Sequence, residues 1–368
     1  MLNLDEIPFV QGLELSRRYH DEVVGPVLNR RFPDLAYAAG RLDNGSDVLG
    51  FDTPRSRDHD WGPRLMLFLD DGDLPTTAET ILETLRHELP LQFYGYPTNY
   101  EAHEDGTLGM FPVEKSPVNH LIAMQSVSGF FRDYLDYDSD DPLTLEHWLS
   151  FPEQRLRSIR CGRVFHDDLG RLSAIRESLD YYPHDLWLYL MAVAWRRLAQ
   201  EEAFMGRAGD VGDELGSRLI AARQVNNVVR LCFLMEKEYA PYSKWLGTAF
   251  SDLECALILR RMFEKIWTSI DWEQRQSALS NVYEDLARRH NQLGTTPPQP
   301  TLVSSFHGRP YVVIHADRFV DALLEAIADQ RVKDLPRHLG GIDQFVDSTD
   351  VLEYPKRFGQ FREFIRRI

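Results

Sequence analysis

The six-residue apolar run RLMLFL, Arg64–Leu69, places the strongest constraint on how this chain can fold. A short run of this kind predicts a β-strand that is buried on both faces, because neither set of alternating side chains is suited to water. The segment Asp70–Asp73 follows it directly and predicts a loop. The sequence therefore predicts a sheet that is covered on both sides in the N-terminal part of the chain.

Helical and strand patterns flank this run. Residues 12–32 carry an imperfect apolar stripe at helical spacing, and residues 76–89 predict a helix with threonine near its start. Residues 118–127, VNHLIAMQSV, predict a second strand. We therefore expect a mixed α/β domain over residues 1–140.

A helical region follows the acidic loop DYDSDDP, residues 136–142. Apolar residues at helical spacing predict helices over four segments, which are 185–204, 213–239, 251–267 and 277–293. On the second of these, Arg223, Asn227 and Arg230 form a polar line. The proline-rich segment 295–301 predicts a linker, after which residues 309–330 predict a strand and a helix. The expected class is α+β, with a helical domain over 141–294 and a small C-terminal α/β module over 302–368.

Composition limits the class of partner. The 368 residues include 41 basic and 57 acidic side chains, a formal net charge of -16. This balance disfavours an extended nucleic-acid surface, because phosphate neutralisation needs a basic face. Cys161, Cys232 and Cys255 match no zinc spacing and indicate reduced thiols. The N-terminus has no signal-peptide pattern, and the apolar run Leu186–Trp195 is too short to span a bilayer. We expect a cytoplasmic protein without membrane association.

The segment GSDVLGFDTPRSRDHDWG, residues 45–62, contains the residue types that hold metal-bound phosphates. Gly45 permits close backbone approach, and backbone N–H groups with the Ser46 hydroxyl can hold phosphate oxygens. In a strand, Asp58 and Asp60 would point to one side, roughly 6–7 Å apart, with His59 facing the other way. Mg²⁺ takes oxygen ligands and shares them with substrate phosphates, and two such ions could activate an attacking oxygen.

A helix, a Gly-Ser turn and a strand bearing Asp-x-Asp resemble the nucleotidyltransferase superfamily, the fold of polymerase-beta-like and aminoglycoside-modifying enzymes. Residues 45–69 also look like an uncharacterised domain-of-unknown-function family in that superfamily, as do FHDDLG, QEEAFMGRAGDVGDELGSRL and YAPYSKWLGTAF. The resemblance implies that Asp58 and Asp60 are catalytic ligands of one or two Mg²⁺ ions. It also implies transfer of a nucleoside monophosphate, from ATP or another nucleoside triphosphate, to a hydroxyl of a small molecule or protein.

One departure from the superfamily pattern leaves alternatives open. Superfamily enzymes usually carry a third carboxylate on a neighbouring strand, but residues 118–127 contain no acid, and Ala123 stands at the expected position. Glu114, just upstream, is the candidate substitute. The alternatives are a nucleotide-binding regulatory module that has lost turnover and a structural interaction protein.

The helical domain contributes further candidates through the same resemblance. Lys244 is expected to contact the triphosphate and Tyr242 to add a hydroxyl, while Trp245 or Tyr239 could stack on the base. In the alternative interpretation the aromatic residues belong to the core and Lys244 is a solvated surface charge.

Other patterns have simpler explanations beside the functional one. The glycine-rich segment 205–218 predicts either a substrate loop or a loop at the start of a helix. His147 with His166 and Asp167 is comparable with the metal phosphohydrolase pattern, yet residues 162–170 predict a loop.

Overall fold

The computed structural model describes residues 6–367, which pack into two compact units. The first unit consists of the described residues up to Leu143, Gln154–Asp180 and Glu353–Gln360. The second unit consists of Thr144–Glu153, Tyr181–Leu352 and the described residues from Phe361 onward. Helices and a mixed sheet together confirm the predicted α+β class. The first unit thus includes two segments from beyond the predicted domain over residues 1–140.

The strands and helices are numbered in chain order. The strands are β1 (Ala38–Arg41), β2 (Arg64–Leu69), β3 (Gln92–Phe93), β4 (Tyr96–Pro97), β5 (Tyr100–Ala102), β6 (Leu108–Met110), β7 (Leu121–Ser126), β8 (Arg163–Asp167), β9 (Ser304–Ser305) and β10 (Val312–Val313). The helices are α1 (Gly12–Tyr19), α2 (Gly25–Arg31), α3 (Leu74–Glu88), α4 (Val127–Leu135), α5 (Leu145–Ser150), α6 (Glu153–Cys161), α7 (Arg171–Ser178), α8 (His184–Glu201), α9 (Phe204–Asp210), α10 (Glu214–Met235), α11 (Ser243–Phe250), α12 (Ala256–Thr268), α13 (Trp272–Gln292), α14 (Asp317–Ala326), α15 (Gln330–Lys333), α16 (Thr349–Leu352) and α17 (Lys356–Arg367). A π-helical turn, His20–Val24, joins α1 to α2. No helix within residues 6–367 has the length and apolar character needed to cross a bilayer.

The sheet of the first unit has the order β7–β2–β1–β8. Strand β2 runs parallel to β7, whereas β1 is antiparallel to both of its neighbours, so the sheet is mixed. The predicted strands at 64–69 and 118–127 are confirmed as β2 and β7. The predicted loop at 162–170 is wrong, because residues 163–167 pair with the free edge of β1 across a bulge and form β8.

Strand β2 is buried on both faces, as its composition predicts. Leu65, Leu67 and Leu69 point into a core that includes Tyr19 of α1 and Leu85 of α3. On the opposite face, the Phe68 ring meets Phe130 of α4 edge-on, at a centroid distance of 5.7 Å. Each such side chain contributes about 1.5–3 kcal/mol through removal from water. This burial holds β2 as an inner strand of the sheet.

The second unit is built around α8, which is buried along most of its length. Trp195 of α8 stacks on Phe319 of α14 at a centroid distance of 4.1 Å, and its indole N–H donates to His290 Nδ1 of α13 at 3.2 Å. The predicted helices at 185–204, 213–239, 251–267 and 277–293 are confirmed as α8, α10, α12 and α13. The predicted strand and helix within 309–330 are confirmed as β10 and α14.

The glycine-rich segment 205–218 is more helical than a substrate loop requires. Its first part lies in α9, and Asp213 then caps α10 by accepting a hydrogen bond from Gly216 N–H at 2.8 Å. A side chain at Gly209 would overlap the ring of Trp272. The glycines therefore permit close helix packing, and of the two interpretations the helix start is the one confirmed.

Glu202, at the end of α8, provides a test of this packing. Its carboxylate is buried and accepts hydrogen bonds from the backbone N–H groups of Ile314 and Ala316, at 3.0 and 3.4 Å. Burial raises the pKa of this carboxyl from its ordinary value of 4.5 to about 7. A raised pKa in the folded state means that its stabilising contribution is complete below about pH 4.5 and is lost as the pH rises through 7.

We expect Glu202→Gln to remove this pH dependence. Between pH 4 and pH 8 the free energy of unfolding of the variant should rise relative to wild type by about 3 kcal/mol, the equivalent of the pKa shift. Urea unfolding of both proteins at the two pH values measures the difference. Glu325→Gln, at an exposed position of α14, is the matched control. Parallel pH dependence of wild type and Glu202→Gln would contradict the assignment.

Candidate functional site

The Gly45–Ser46 turn and the two aspartates lie at the same edge of the first unit's sheet. Strands β1 and β2 are antiparallel, with Gly40 opposite Met66 and Ala38 opposite Phe68. The chain therefore leaves β1, on its way to Gly45, at the edge where β2 begins just after Asp60. Sheet topology brings the two halves of the predicted motif to one side of the unit.

Asp58 and Asp60 are not on a strand, so the expected strand geometry is wrong. Asp58 is the last residue of a 3₁₀ turn, Pro54–Asp58. Thr53 and Ser56 cap the start of this turn through a reciprocal pair of hydrogen bonds. Asp60 has a left-handed φ of 47°. Its N–H donates to Leu108 O at 2.7 Å, and its carboxylate accepts from Leu108 N–H at 3.3 Å. The capped turn and this contact with β6 bend the chain before β2 starts.

His59 contacts both carboxylates, whereas a strand would have turned it away from them. Its Nδ1 lies 3.2 Å from Asp60 Oδ2, and its Nε2 lies 4.0 Å from Asp58 Oδ2. The three side chains are well exposed, at 64% for Asp58, 52% for His59 and 49% for Asp60. Two carboxylates thus share one neighbour in a position open to a dissolved cation.

The carboxylate beside the Gly45 turn is that of Asp47, which is not among the site residues predicted from the sequence. Asp47 is 1% exposed and lies between two arginines, with Arg64 Nη2 at 3.0 Å and Arg41 Nε at 3.5 Å. Arg41, which also contacts the Asp43 carboxylate, is itself 2% exposed. We call Arg41, Asp47 and Arg64 the buried ion cluster.

Electrostatic interactions within the buried ion cluster favour the ionised form of the Asp47 carboxyl. Burial alone would raise the pKa of the Asp47 carboxyl, but Arg64 and Arg41 outweigh burial and lower it. Burial, together with repulsion from Arg64, lowers the pKa of Arg41 to about 10. The Nε atoms of both arginines have no hydrogen-bond partner within residues 6–367. The cluster therefore retains donors beyond those that Asp47 satisfies.

Gly45 is required by this cluster. A Cβ atom there would overlap Asp47 Oδ1 and would lie 3.0 Å from Arg64 Nη2 and 3.2 Å from Arg41 Nη2. The turn is further held by Phe51 N–H, which donates to Ser46 O at 2.8 Å. No periodic pattern in the sequence predicts such a cluster. The sequence features that could have indicated it are an acid directly after Gly-Ser and an arginine at one end of each of two strands.

The far end of the loop is attached to α1. Asp52 is buried, and its Oδ2 accepts from Gly12 N–H at 2.7 Å and from the Trp61 indole N–H at 2.9 Å. An acid is favourable here because the first N–H groups of a helix lack partners within the helix. Trp61 also meets Tyr96 edge-on at 5.1 Å. The segment between Gly45 and Asp60 is thus fixed at both ends.

The third carboxylate remains a prediction. Ala123 of β7 lies opposite Met66 in the parallel register, so no acid stands there. Glu114 is exposed and precedes β7, whose first residue, Leu121, lies beside Arg64. Among residues 6–367, no group of three His, Cys, Asp or Glu side chains could hold a metal ion by itself. A cation at Asp58 and Asp60 would need further oxygens from water or substrate.

The candidates from the helical region lie in the second unit. Tyr242 immediately precedes α11, and the exposed Lys244 places its ammonium 5.1 Å from the centre of the Trp245 ring. Lys244 lines an open groove of 860 Å³. Tyr239 is 1% exposed and packs against Tyr182, so its expected stacking on a base is wrong and its core interpretation is confirmed.

The histidine pattern has structural explanations. His147 takes part in the cap of α5, where its N–H donates to Thr144 Oγ1 at 3.3 Å. His166 Nε2 pairs with Asp168 Oδ2 at 2.7 Å, and Asp167 accepts from Ser173 N–H at 2.9 Å. These contacts account for the residues without a metal.

Comparisons with known proteins place the chain near a family without an assigned activity. The model of a domain of unknown function, DUF4037, matches residues 148–246, well under half of the chain. A solved structure, a nucleotidyltransferase-like protein from Exiguobacterium sibiricum 255-15, matches 96% of this chain and 91% of its own, with 11% sequence identity and a TM-score of 0.31. A likeness this weak carries no argument about activity. No curated protein matches the chain.

The cluster and the exposed pair should respond differently to loss of charge. Asp47→Asn leaves two buried guanidinium groups without their shared carboxylate, so we expect the free energy of unfolding to fall by about 3 kcal/mol. Asp58→Asn changes an exposed side chain and should leave stability unchanged. Urea unfolding of the two variants at pH 7 makes the comparison. Equal stability of Asp47→Asn and wild type would show that the cluster does not hold the turn.

Proposed function

We propose that this protein is a Mg²⁺-dependent nucleotidyltransferase. It transfers a nucleoside monophosphate, with AMP from ATP as the first candidate, to a hydroxyl of a small molecule or protein. One observation carries the proposal: the Gly45–Ser46 turn and the exposed carboxylates of Asp58 and Asp60 reach the same sheet edge from neighbouring strands. The resemblance of these residues to the superfamily motif supports it.

The donor set fits a magnesium ion that arrives with its substrate. Mg²⁺ usually keeps several waters and is held by one or two carboxylates together with substrate phosphates, so two accessible aspartates suffice. Asp58 and Asp60 would hold one ion or two, which would neutralise phosphate charge. Because His59 lies against both carboxylates, it must release them when a cation binds.

The phosphate side of the site has its own support. The Ser46 hydroxyl and the N–H groups of the turn are suited to phosphate oxygens. Arg41 and Arg64 lie directly beside Gly45, and their positive charge favours phosphate there. Lys244 and Tyr242, which belong to the second unit, stay predictions from the sequence.

One observation favours a second candidate, a nucleotide-binding regulatory module without turnover. Strand β7 has no acid, and Ala123 occupies the position opposite Met66. If Glu114 does not complete the site, two aspartates can still bind a magnesium nucleotide without activating an acceptor. We place either function in the cytoplasm, because Cys161, Cys232 and Cys255 are free thiols.

Label transfer tests the enzyme directly. Alpha-labelled ATP, Mg²⁺ and a broad set of hydroxyl acceptors, including the protein itself, should give labelled product and release diphosphate. The Asp58→Ala/Asp60→Ala variant should lose this activity by about 100-fold or more, the usual effect of removing a charge-stabilising group from an active site. Asp34→Ala/Glu104→Ala, at two exposed acidic positions of the same unit, is the matched control and should retain it. Equal activity in both double variants would refute the assignment.

Nucleotide binding separates the two candidates. A fluorescent ATP analogue should bind wild type in the presence of Mg²⁺ and should bind at least about tenfold more weakly in EDTA or to Asp58→Ala/Asp60→Ala, because the cation bridges carboxylates and phosphates. Binding without diphosphate release for any acceptor would favour the regulatory module. Absence of both binding and release would favour a structural interaction protein.

A further inference from the structure

The second unit contains a cavity of 390 Å³ that the proposed function does not use. Arg197 of α8 and Arg223, Asn227 and Arg230 of α10 line one side, and the segment Asp343–Asp347 lines the other. The volume lies within the range of about 300–1,000 Å³ that is typical of small-molecule pockets. We call this space the arginine cavity.

The three residues from α10 belong to one helical face. Arg223, Asn227 and Arg230 are spaced by four and three residues, so their side chains lie along one stripe of the helix. The sequence already indicates this polar line. The structure adds that Arg197 of α8 lines the same cavity as these three residues. Two helices thus contribute three guanidinium groups to one space.

The arginines are incompletely neutralised. Arg223 Nε pairs with Glu201 Oε2 at 3.1 Å. Arg197 has no hydrogen bond or ion pair within 4 Å among residues 6–367, and Arg230 likewise has none there. Burial lowers the pKa of Arg197, the charges of Arg223 and Arg230 lower it further, and Glu201 only partly opposes this shift. Like charges held close in a half-buried space favour a bound anion.

The acidic residues of the opposite wall do not cancel this charge. Asp343 Oδ2 accepts from Glu153 N–H at 3.0 Å. Burial and repulsion from Asp343 raise the pKa of Glu153 to about 7, against the opposing charge of Arg230. Burial also raises the pKa of Asp343. Asp347, at the edge of the wall, is exposed to solvent. Arg230 therefore faces two carboxyls whose raised pKa favours their neutral forms, and they do not cancel the charge of the arginines.

Asn227 supplies an independent indication of a ligand. It lines the cavity with 8% exposure, and its Nδ2 has no hydrogen-bond partner within the described residues. A buried donor without an acceptor is rare in folded proteins, because burial removes its water. An anion oxygen in the cavity would satisfy it.

We propose that the arginine cavity binds the phosphoryl group of a small phosphorylated compound. Three guanidinium groups with rigid, planar donor forks suit a tetrahedral oxyanion of more than one charge, whereas a carboxylate is satisfied by one bidentate arginine. The Asn227 amide donates a further hydrogen bond, and the remaining volume takes the organic part of the ligand. This site is independent of Asp58 and Asp60.

Titration with inorganic phosphate tests the proposal on the full-length protein. Broadening of the phosphate ³¹P resonance and an increase in Tm should report binding to wild type, with acetate at equal ionic strength as the competing anion. Arg197→Gln and Asn227→Asp should each weaken phosphate binding by at least about tenfold, the latter by adding a negative charge. Arg261→Gln, at an exposed position of α12, is the matched control and should bind like wild type.

The proposal would be overturned if wild type bound no phosphate, or if Arg197→Gln and Asn227→Asp both bound phosphate as tightly as wild type. It would also be overturned if acetate bound as tightly as phosphate, which would assign the cavity to carboxylates. Circular dichroism and Tm without ligand show whether each variant is folded. Because Arg197 makes no ion pair within the described residues, its variant should fold even if Asn227→Asp does not. Asp58→Ala/Asp60→Ala should bind phosphate in this cavity unchanged, which keeps the test separate from that of the nucleotidyltransferase proposal.

Discussion

The first unit depends on a carboxylate buried between two arginines. Asp47 lies where the chain leaves β1, and its contacts with Arg41 and Arg64 connect that point to the start of β2. Taking three charged groups out of water is costly, and the cost is offset only while all of them remain paired. The cluster therefore permits one path for the turn, in which position 45 has no room for a side chain.

This constraint separates what holds the site from what could act in it. Asp47 and Asp52 are buried and engaged with the protein's own donors, so they position the loop. Asp58 and Asp60 are exposed, and their neighbour His59 is exposed as well, so they can exchange partners with solvent ions. The buried acids lie in the first half of the loop, and the accessible acids lie where it meets β2.

Local pattern was enough to predict those elements whose side chains are buried in a regular period. The run Arg64–Leu69 and the long helices α8, α10 and α13 follow from apolar spacing alone. The geometry of Asp58 and Asp60 could not be predicted in this way, because the capped turn at Thr53 and the contact with Leu108 prevent an extended backbone there. Strand β8 was also missed, since its pairing partner, β1, is more than a hundred residues away in sequence.

The sequence identified the candidate residues Gly45, Ser46, Asp58 and Asp60, but not the ion cluster that positions them or the cavity that Arg197 completes. Both depend on charges that meet only after distant elements pack. A crystal structure with Mn²⁺ and a nonhydrolysable nucleotide would decide whether the turn and the aspartate pair form one site. We expect an anomalous peak at Asp58 and Asp60, with the outer phosphates on Gly45–Ser46. Manganese or phosphates bound elsewhere, with these groups apart, would contradict it.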